Sequence, residues 1–336
     1  MGGADFGWRN GTGKWPAYYP DSFGAAVDIG PGSPTGIVFG YGAAFPKKYE
    51  NALFICDWSY GNIHAVHLTP DGSSYGGTFE TFATAAPLPV TDLVIHPQQG
   101  VMYVTVGGRR TESALYRIRY VGDAKQEAVA VNKTAAQARA LRARIEAAQL
   151  DANADISIDE LIQHLGSQDR GIAHAARVAL EHRPVDQWAD KALNAENDRA
   201  QVMGIVALAR VGNEEFSGRA YQAILGLDIP GDVRDPSDSA FVVAVARAIG
   251  LTQLRLAPPK DTVRKQLIQK FDGLFPSADG PVSREFAAVL VALKAPGIAQ
   301  RVTQQLSSAA SQEDRLHYAF VLRDLSQNQW PSLDVQ

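Results

Sequence analysis

A multidomain α+β chain is predicted by three observations. Short β-rich runs separated by turn residues occupy the stretch before residue 123 and fall into a group of four and a group of three. From Thr134 onward the apolar residues repeat with a helical period, in paired segments whose second members start 29, 40, 45 and 31 residues apart. Composition changes at the same boundary: residues 1–123 hold 19 of the 29 aromatics and 19 of the 30 glycines, while the rest is rich in alanine and leucine. Together these predict a partial β-propeller of about two antiparallel blades followed by an α-solenoid of HEAT-type helix pairs. The expected domains are 1–123 for the partial propeller, 124–156 for a helix and linker, and 157–336 for the solenoid.

The first 35 residues contain no convincing strand, and DFGWRNGTGKWPAYYP (residues 5–20) reads as an elaborate loop. So long a structureless stretch inside a compact domain argues that the β part is incomplete. The first strand group is Gly36–Tyr41, Ala52–Asp57, Asn62–Leu68 and Thr78–Phe82. Its turns include Tyr60-Gly61-Asn62 and Pro70-Asp71-Gly72, residues that tolerate turn dihedrals. The second group is Thr91–Ile95, Val101–Val106 and Ala114–Tyr120. Gly36 to Thr91 is a step of 55 residues, close to the ~40–50 of a propeller blade. The second group is one strand short, and in closed propellers the missing strand often comes from the other end of the ring. A seven-strand sandwich is the alternative. Two blades alone would share one interface and leave two broad apolar faces and unpaired strand edges.

The helical part opens with Thr134–Gln149, a strong helix former. Five second helices then follow near acidic or serine caps: Asp169–Glu181, Asp198–Val211, Asp238–Ile249, Ser283–Lys294 and Asp314–Leu325. First helices lie between them, for example Asp186–Leu193 and Thr262–Phe271. Small residues on the inner faces permit close approach, as in a solenoid whose helix pairs bury their apolar faces against their neighbours. A generic helical bundle is the competing reading.

The chain carries 32 basic and 36 acidic residues, a net −4, which argues against a nucleic-acid footprint. Its single cysteine, Cys56, excludes an internal disulfide, a Cys-x-x-Cys-His haem attachment and a multi-cysteine zinc site within this sequence. No apolar run reaches the ~18 residues of a membrane span; the longest candidate, Ala240–Leu251, is interrupted by Arg247. The start, MGGADFGW, has neither the basic nor the apolar region of a signal peptide.

Candidate chemistry is sparse. His64 and His67 are three apart on a strand and so point to opposite faces. His174 and His182 are eight apart on one helix, too far to share an ion alone. Asp151–Ile162 (DANADISIDELI) imitates a calcium loop but has Ile156 where glycine is needed and Ile162 where the bidentate glutamate belongs. It reads as a polar linker. Cys56, on a central strand, reads as a buried inert thiol. No nucleophile pairs with a base.

Three segments carry a likeness: DFGWRNGTGKWP; then SPTGIVFGYGAAFPKKYENALFICDWSYGNIHAVHLTPDG; then PLPVTDLVIHPQQGVMYVTVGGRRTESALYRIRYVG. They resemble the final part of a six-bladed propeller of the soluble glucose/sorbosone dehydrogenase type. DRGIAHAARVALEHRPVDQW (residues 169–188) is similar to the start of the HEAT repeats that follow such a propeller in large bacterial dehydrogenase-like proteins. The resemblance implies about two blades of six, a periplasmic or secreted parent, and often a following cytochrome c domain. It makes the opening stretch a loop between blades. It also implies sugar oxidation with hydride passed to pyrroloquinoline quinone and a histidine as general base, but no residue here matches that base. Where the quinone enzymes hold the cofactor's carboxylates with cations, this sequence has Gly42 and Ser59-Tyr60. Arg9, Lys14, Arg109 and Arg110 remain as candidates for an anion at the ring centre, with solvated turn roles the competing reading. Asp92 stands where the family has an aspartate at a strand start. Two functions follow as expectations. One is a fragment of a sugar-dehydrogenase-like oxidoreductase, inactive alone, whose solenoid binds a protein partner. The other is a standalone interaction module without enzymatic activity.

Overall fold

The structure is a computed structural model, and it describes residues 15–108, 111–122, 133–151, 155–231 and 233–325. It divides into two compact units. One is Ala25–Ala140; the other joins Leu141–Gln336 to the segment before Ala25, of which residues 15–24 are described.

The first unit holds two antiparallel sheets. β1 (Pro34–Phe39), β2 (Leu53–Asp57), β3 (Asn62–Asp71) and β4 (Ser74–Thr84) pair in that order. β5 (Val90–Ile95), β6 (Met102–Gly108) and β7 (Thr111–Ile118) form the second sheet, again in chain order. The grouping of four and three strands matches the sequence reading. Gly61 and Gly72, at the two hairpin turns the sequence singled out, have φ of 65° and 52°, where a side chain would be strained.

Strand alternation sorts the side chains. Phe54, Cys56, Ile63 and Ala65 on the first sheet share one apolar core with Leu93, Met102, Val104 and Val106 on the second. The first strands of the two sheets, β1 and β5, lie side by side. Thr35 Oγ1 donates to the Val90 carbonyl at 2.8 Å. A Cβ placed on Gly36 would stand 2.6 Å from Asp92 Cα, so glycine is required for this approach. Trp58 Nε1 adds a hydrogen bond to the Gly107 carbonyl (2.9 Å), and Ala44 N one to the Gly100 carbonyl (2.7 Å). The opposite faces are less well covered: Ile37 is 60 % exposed, Val94 55 % and Leu115 66 %.

The second unit is helical. α1 (Lys133–Leu150) contributes to both units, its first residues to the sheets' unit and the remainder to this one. After it come α2 (Ile158–Leu165), α3 (Arg170–Glu181), α4 (Ala189–Leu193), α5 (Asp198–Val211) and α6 (Ser217–Gly226). α7 (Pro236–Arg255), α8 (Asp261–Phe271), α9 (Gly280–Ala292), α10 (Ile298–Ser308) and α11 (Gln312–Arg323) complete the eleven helices among the described residues. The odd-numbered helices from α3 to α11 neighbour one another in sequence order, and α2, α4, α6 and α8 form a second row. α5 and α7 lie inside their row and are apolar nearly all round, with Val202, Ile205, Val206, Val242, Val245 and Ile249 all buried.

Each second helix starts at a side-chain cap that occupies otherwise unpaired N–H groups. Asp169, Asn197, Asp235, Asp279 and Ser311 accept from the first-turn backbone of α3, α5, α7, α9 and α11. The described part of the opening stretch departs from the expectation of a loop between blades. Residues 15–24 group with the helices, because their charged and aromatic side chains have their partners there.

Candidate functional site

Residues 15–24 (WPAYYPDSFG) cross the row formed by α3, α5, α7 and α9 as a strap. Pro16 and Pro20 keep it out of regular structure, and short turns close it: Tyr19 N bonds the Pro16 carbonyl (3.0 Å) and Ser22 N the Tyr19 carbonyl (3.3 Å). A strap with few internal bonds must take its partners from the surface beneath it. Arg170, in the first turn of α3, donates from one guanidinium nitrogen to the carbonyls of Ala17 (2.8 Å), Tyr19 (2.8 Å) and Ser22 (3.1 Å). Tyr18 and Tyr19 donate their hydroxyls to the two carboxylate oxygens of Glu285 on α9, at 2.8 and 2.9 Å. Arg247 on α7 grips Asp21 with two parallel bonds, 3.0 and 2.9 Å, the strong fork geometry of guanidinium and carboxylate. The Arg247 guanidinium also lies 4.8 Å from the Trp15 ring centre and 4.4 Å from that of Tyr19. Phe23 packs on His174 at 4.7 Å between ring centres.

Beneath the strap runs a chain of charges, from the buried Arg177 to the exposed Arg210. Arg177 pairs with Glu181 one turn on, Glu181 with Arg210 (3.1 Å), Arg210 with Asp21 (3.8 Å), and Asp21 with Arg247. Three cations face two carboxylates, and the Asp21 side chain is only 3 % exposed. Burial alone would raise the Asp21 carboxyl, but the Arg247 hydrogen bonds and charge, with Arg177, outweigh it and hold it below the usual carboxylate range. Burial, then the charges of Arg177, Arg142 and Arg210, push the His174 imidazole down to about 3, so it stays neutral here. Burial and the Glu285 carboxylate raise both tyrosine hydroxyls far above their ordinary value, fixing them as donors. This arrangement binds: it holds an aromatic, acid-bearing segment through its backbone carbonyls, its rings and one carboxylate. No side chain in it is poised as a nucleophile, and His174 is too weak a base to activate one.

The residues proposed for an anion, Arg9, Lys14, Arg109 and Arg110, lie outside the described residues. Asp92 bonds the backbone of its own neighbour, Leu93 N, at 2.8 Å. His64 is buried against Phe79, while His67 pairs with Glu80 at 3.1 Å. His182 Nδ1 meets the Val178 carbonyl at the end of α3. Cys56 is fully buried, and burial pushes its thiol up to about 11. Residues 152–154 of the calcium-loop imitation lie outside the described residues; Ser157 within it caps α2 through Glu160 N. Among the described residues no group of three or more His, Cys, Asp or Glu could hold a metal ion. Gly42 has φ of 79° and Ser59 Oγ bonds Ser33 Oγ at 2.7 Å, so neither place supplies a cation.

Sequence reasoning missed the strap and its three grips, Arg170, Arg247 and Glu285. One signal was available: Arg247 interrupts an otherwise apolar helix, where a charge needs a partner.

No family model, curated protein or solved structure matches this chain.

Proposed function

We propose that the chain is part of a sugar-dehydrogenase-like oxidoreductase that works outside the cytoplasm, and that its own task within it is association with protein rather than sugar turnover. In this reading the two sheets are neighbouring propeller blades and the helical unit is a HEAT-type array. The supporting observation is the unequal burial of the sheets: one shared apolar core on the inner faces, and Ile37, Val94 and Leu115 exposed on the outer ones. Further blades would cover those faces. Side-by-side first strands with a glycine at their contact, as in β1 and β5, also suit blades converging on an axis.

Pyrroloquinoline quinone is not assigned to the described residues. Its carboxylates need fixed cations, and Gly42 and Ser59-Tyr60 provide none. Dye reduction on a panel of aldoses after reconstitution with the quinone tests the reading. No turnover is expected from this chain, and sugar-dependent reduction would overturn it.

A standalone interaction module is the second reading, favoured by the strap. The helical row already holds a ten-residue aromatic and acidic segment, so it is competent to bind peptide. The two readings separate on whether β-blades purified from a sugar dehydrogenase-like protein bind this chain. The fragment reading expects a complex lost on Leu115→Lys, and the module reading expects none.

A further inference from the structure

Beside the strap, the helical unit contains a pocket that the strap contacts leave open. Its volume is about 210 Å³. An apolar cavity of ~150 Å³ accepts benzene, so this one has room for a single ring with a short substituent. The floor is apolar: Leu165, Val202, Met203 and Phe241 are buried side chains of α2, α5 and α7. Tyr18 and Pro20 of the strap form one wall. Two arginines line the pocket, Arg170 and Arg199, and no aspartate or glutamate does.

The two arginines differ from those under the strap. Arg177, Arg210 and Arg247 each pair with a carboxylate, whereas among the described residues Arg170 and Arg199 have none. Among the described residues Arg199 donates only to Ser237, to its carbonyl at 2.9 Å and its hydroxyl at 2.5 Å, and lies 5.7 Å from the Phe241 ring centre. Arg170 donates, among the described residues, only to strap carbonyls. Among the described residues, then, both guanidinium groups have neutral acceptors and no paired carboxylate beside the apolar floor, Arg170 being exposed and Arg199 half-buried.

We propose that this pocket binds a small aromatic monocarboxylate, its ring against Phe241 and Met203 and its carboxylate between Arg170 and Arg199. Met203 offers a polarizable contact to the ring, and guanidinium groups are the side chains best matched to a carboxylate. The pocket lies wholly within the helical unit, so the proposal does not rest on the propeller reading. The same chemistry could be presented by a free aryl-alkanoic acid or by the C-terminal phenylalanine of a peptide.

Calorimetric titration of the whole chain with phenylacetate, phenylacetamide, acetate and N-acetyl-glycyl-phenylalanine tests this. Phenylacetate should saturate one site at or below about 1 mM. Phenylacetamide, which lacks the charge, and acetate, which lacks the ring, should each bind at least about tenfold more weakly, one hydrogen-bonded charge contact being worth that much. A tighter fit for the acylated dipeptide assigns the peptide end as the source, and a weaker one the free acid. Arg199→Gln should weaken phenylacetate about tenfold. Ala240 is exposed and lines the pocket, so Ala240→Phe should fill it and abolish binding without altering the melting temperature. It decides the matter even if Arg199→Gln fails to fold. Absence of saturation below about 10 mM, equal binding of the amide, or full binding by Ala240→Phe would each overturn the proposal.

Discussion

Replacing Asp21 by asparagine leaves Arg247 and Arg210 without the carboxylate that sits between them. Because the Asp21 and Arg247 side chains are only 3 % and 15 % exposed, solvent does little to soften the loss. Asp21→Asn should destabilise the helical unit by about 3–5 kcal/mol, the usual cost of breaking a buried pair, read from urea midpoints. The pH dependence has the matching sign. A carboxyl held below its unfolded pKa stabilises fully above the ordinary carboxylate range, and that contribution is lost as pH falls through the depressed folded value. His174 acts earlier. Its folded pKa of about 3 lies below the ordinary 6.5, so the unfolded chain takes up the proton first and stability falls as pH drops from about 6.5 towards 3. Between pH 7.5 and 5 this should cost on the order of 2 kcal/mol. His174→Gln, neutral at both values, should lack that component, and equal pH slopes for the two proteins would refute the assignment.

At the scale of the element, the start of each helix is decided by one cap. Asp235→Ala should cost about 1 kcal/mol and fray the first turn of α7, measured by hydrogen exchange there. The caps also show where sequence reasoning stops being sharp. The second helices were legible from their apolar period, but α7 was expected from Asp238 and α9 from Ser283, whereas they begin at Pro236 and Gly280. Proline reads as a breaker in the sequence, yet in the first helical turn it costs nothing, because its missing N–H would be unpaired anyway. The seven strands were legible because alternation and turn glycines are local signals. The strap was not. Its partners lie 226 residues away at Arg247 and 266 at Glu285, and no periodicity in the sequence joins such positions. Its proline-rich, aromatic composition was visible; what it packs against was not.

At the scale of the molecule, the outer faces of the sheets govern behaviour in solution. Ile37 and Leu115, both more than half exposed, should drive association at high concentration. Sedimentation of Ile37→Lys/Leu115→Lys beside the unaltered chain checks this: the double variant should stay monomeric where the parent self-associates. A parent monomeric throughout, with no binding of an apolar dye, would remove the main support for missing blades. Charge on such faces is how proteins commonly suppress edge and face pairing, and neither sheet's outer face uses it at these positions.

The 266-residue separation of Tyr19 and Glu285 sets a timetable for biosynthesis. The strap leaves the ribosome long before α9 exists. At about 5–20 residues per second, roughly 13 to 53 s pass before its tyrosines can find their acceptor. For that interval the Tyr18 and Tyr19 hydroxyls lack their acceptor, although Arg170 and Arg247 become available to the segment earlier. The strap is therefore fastened in steps, first at Arg170, then at Arg247, and at its tyrosines only when α9 has been made.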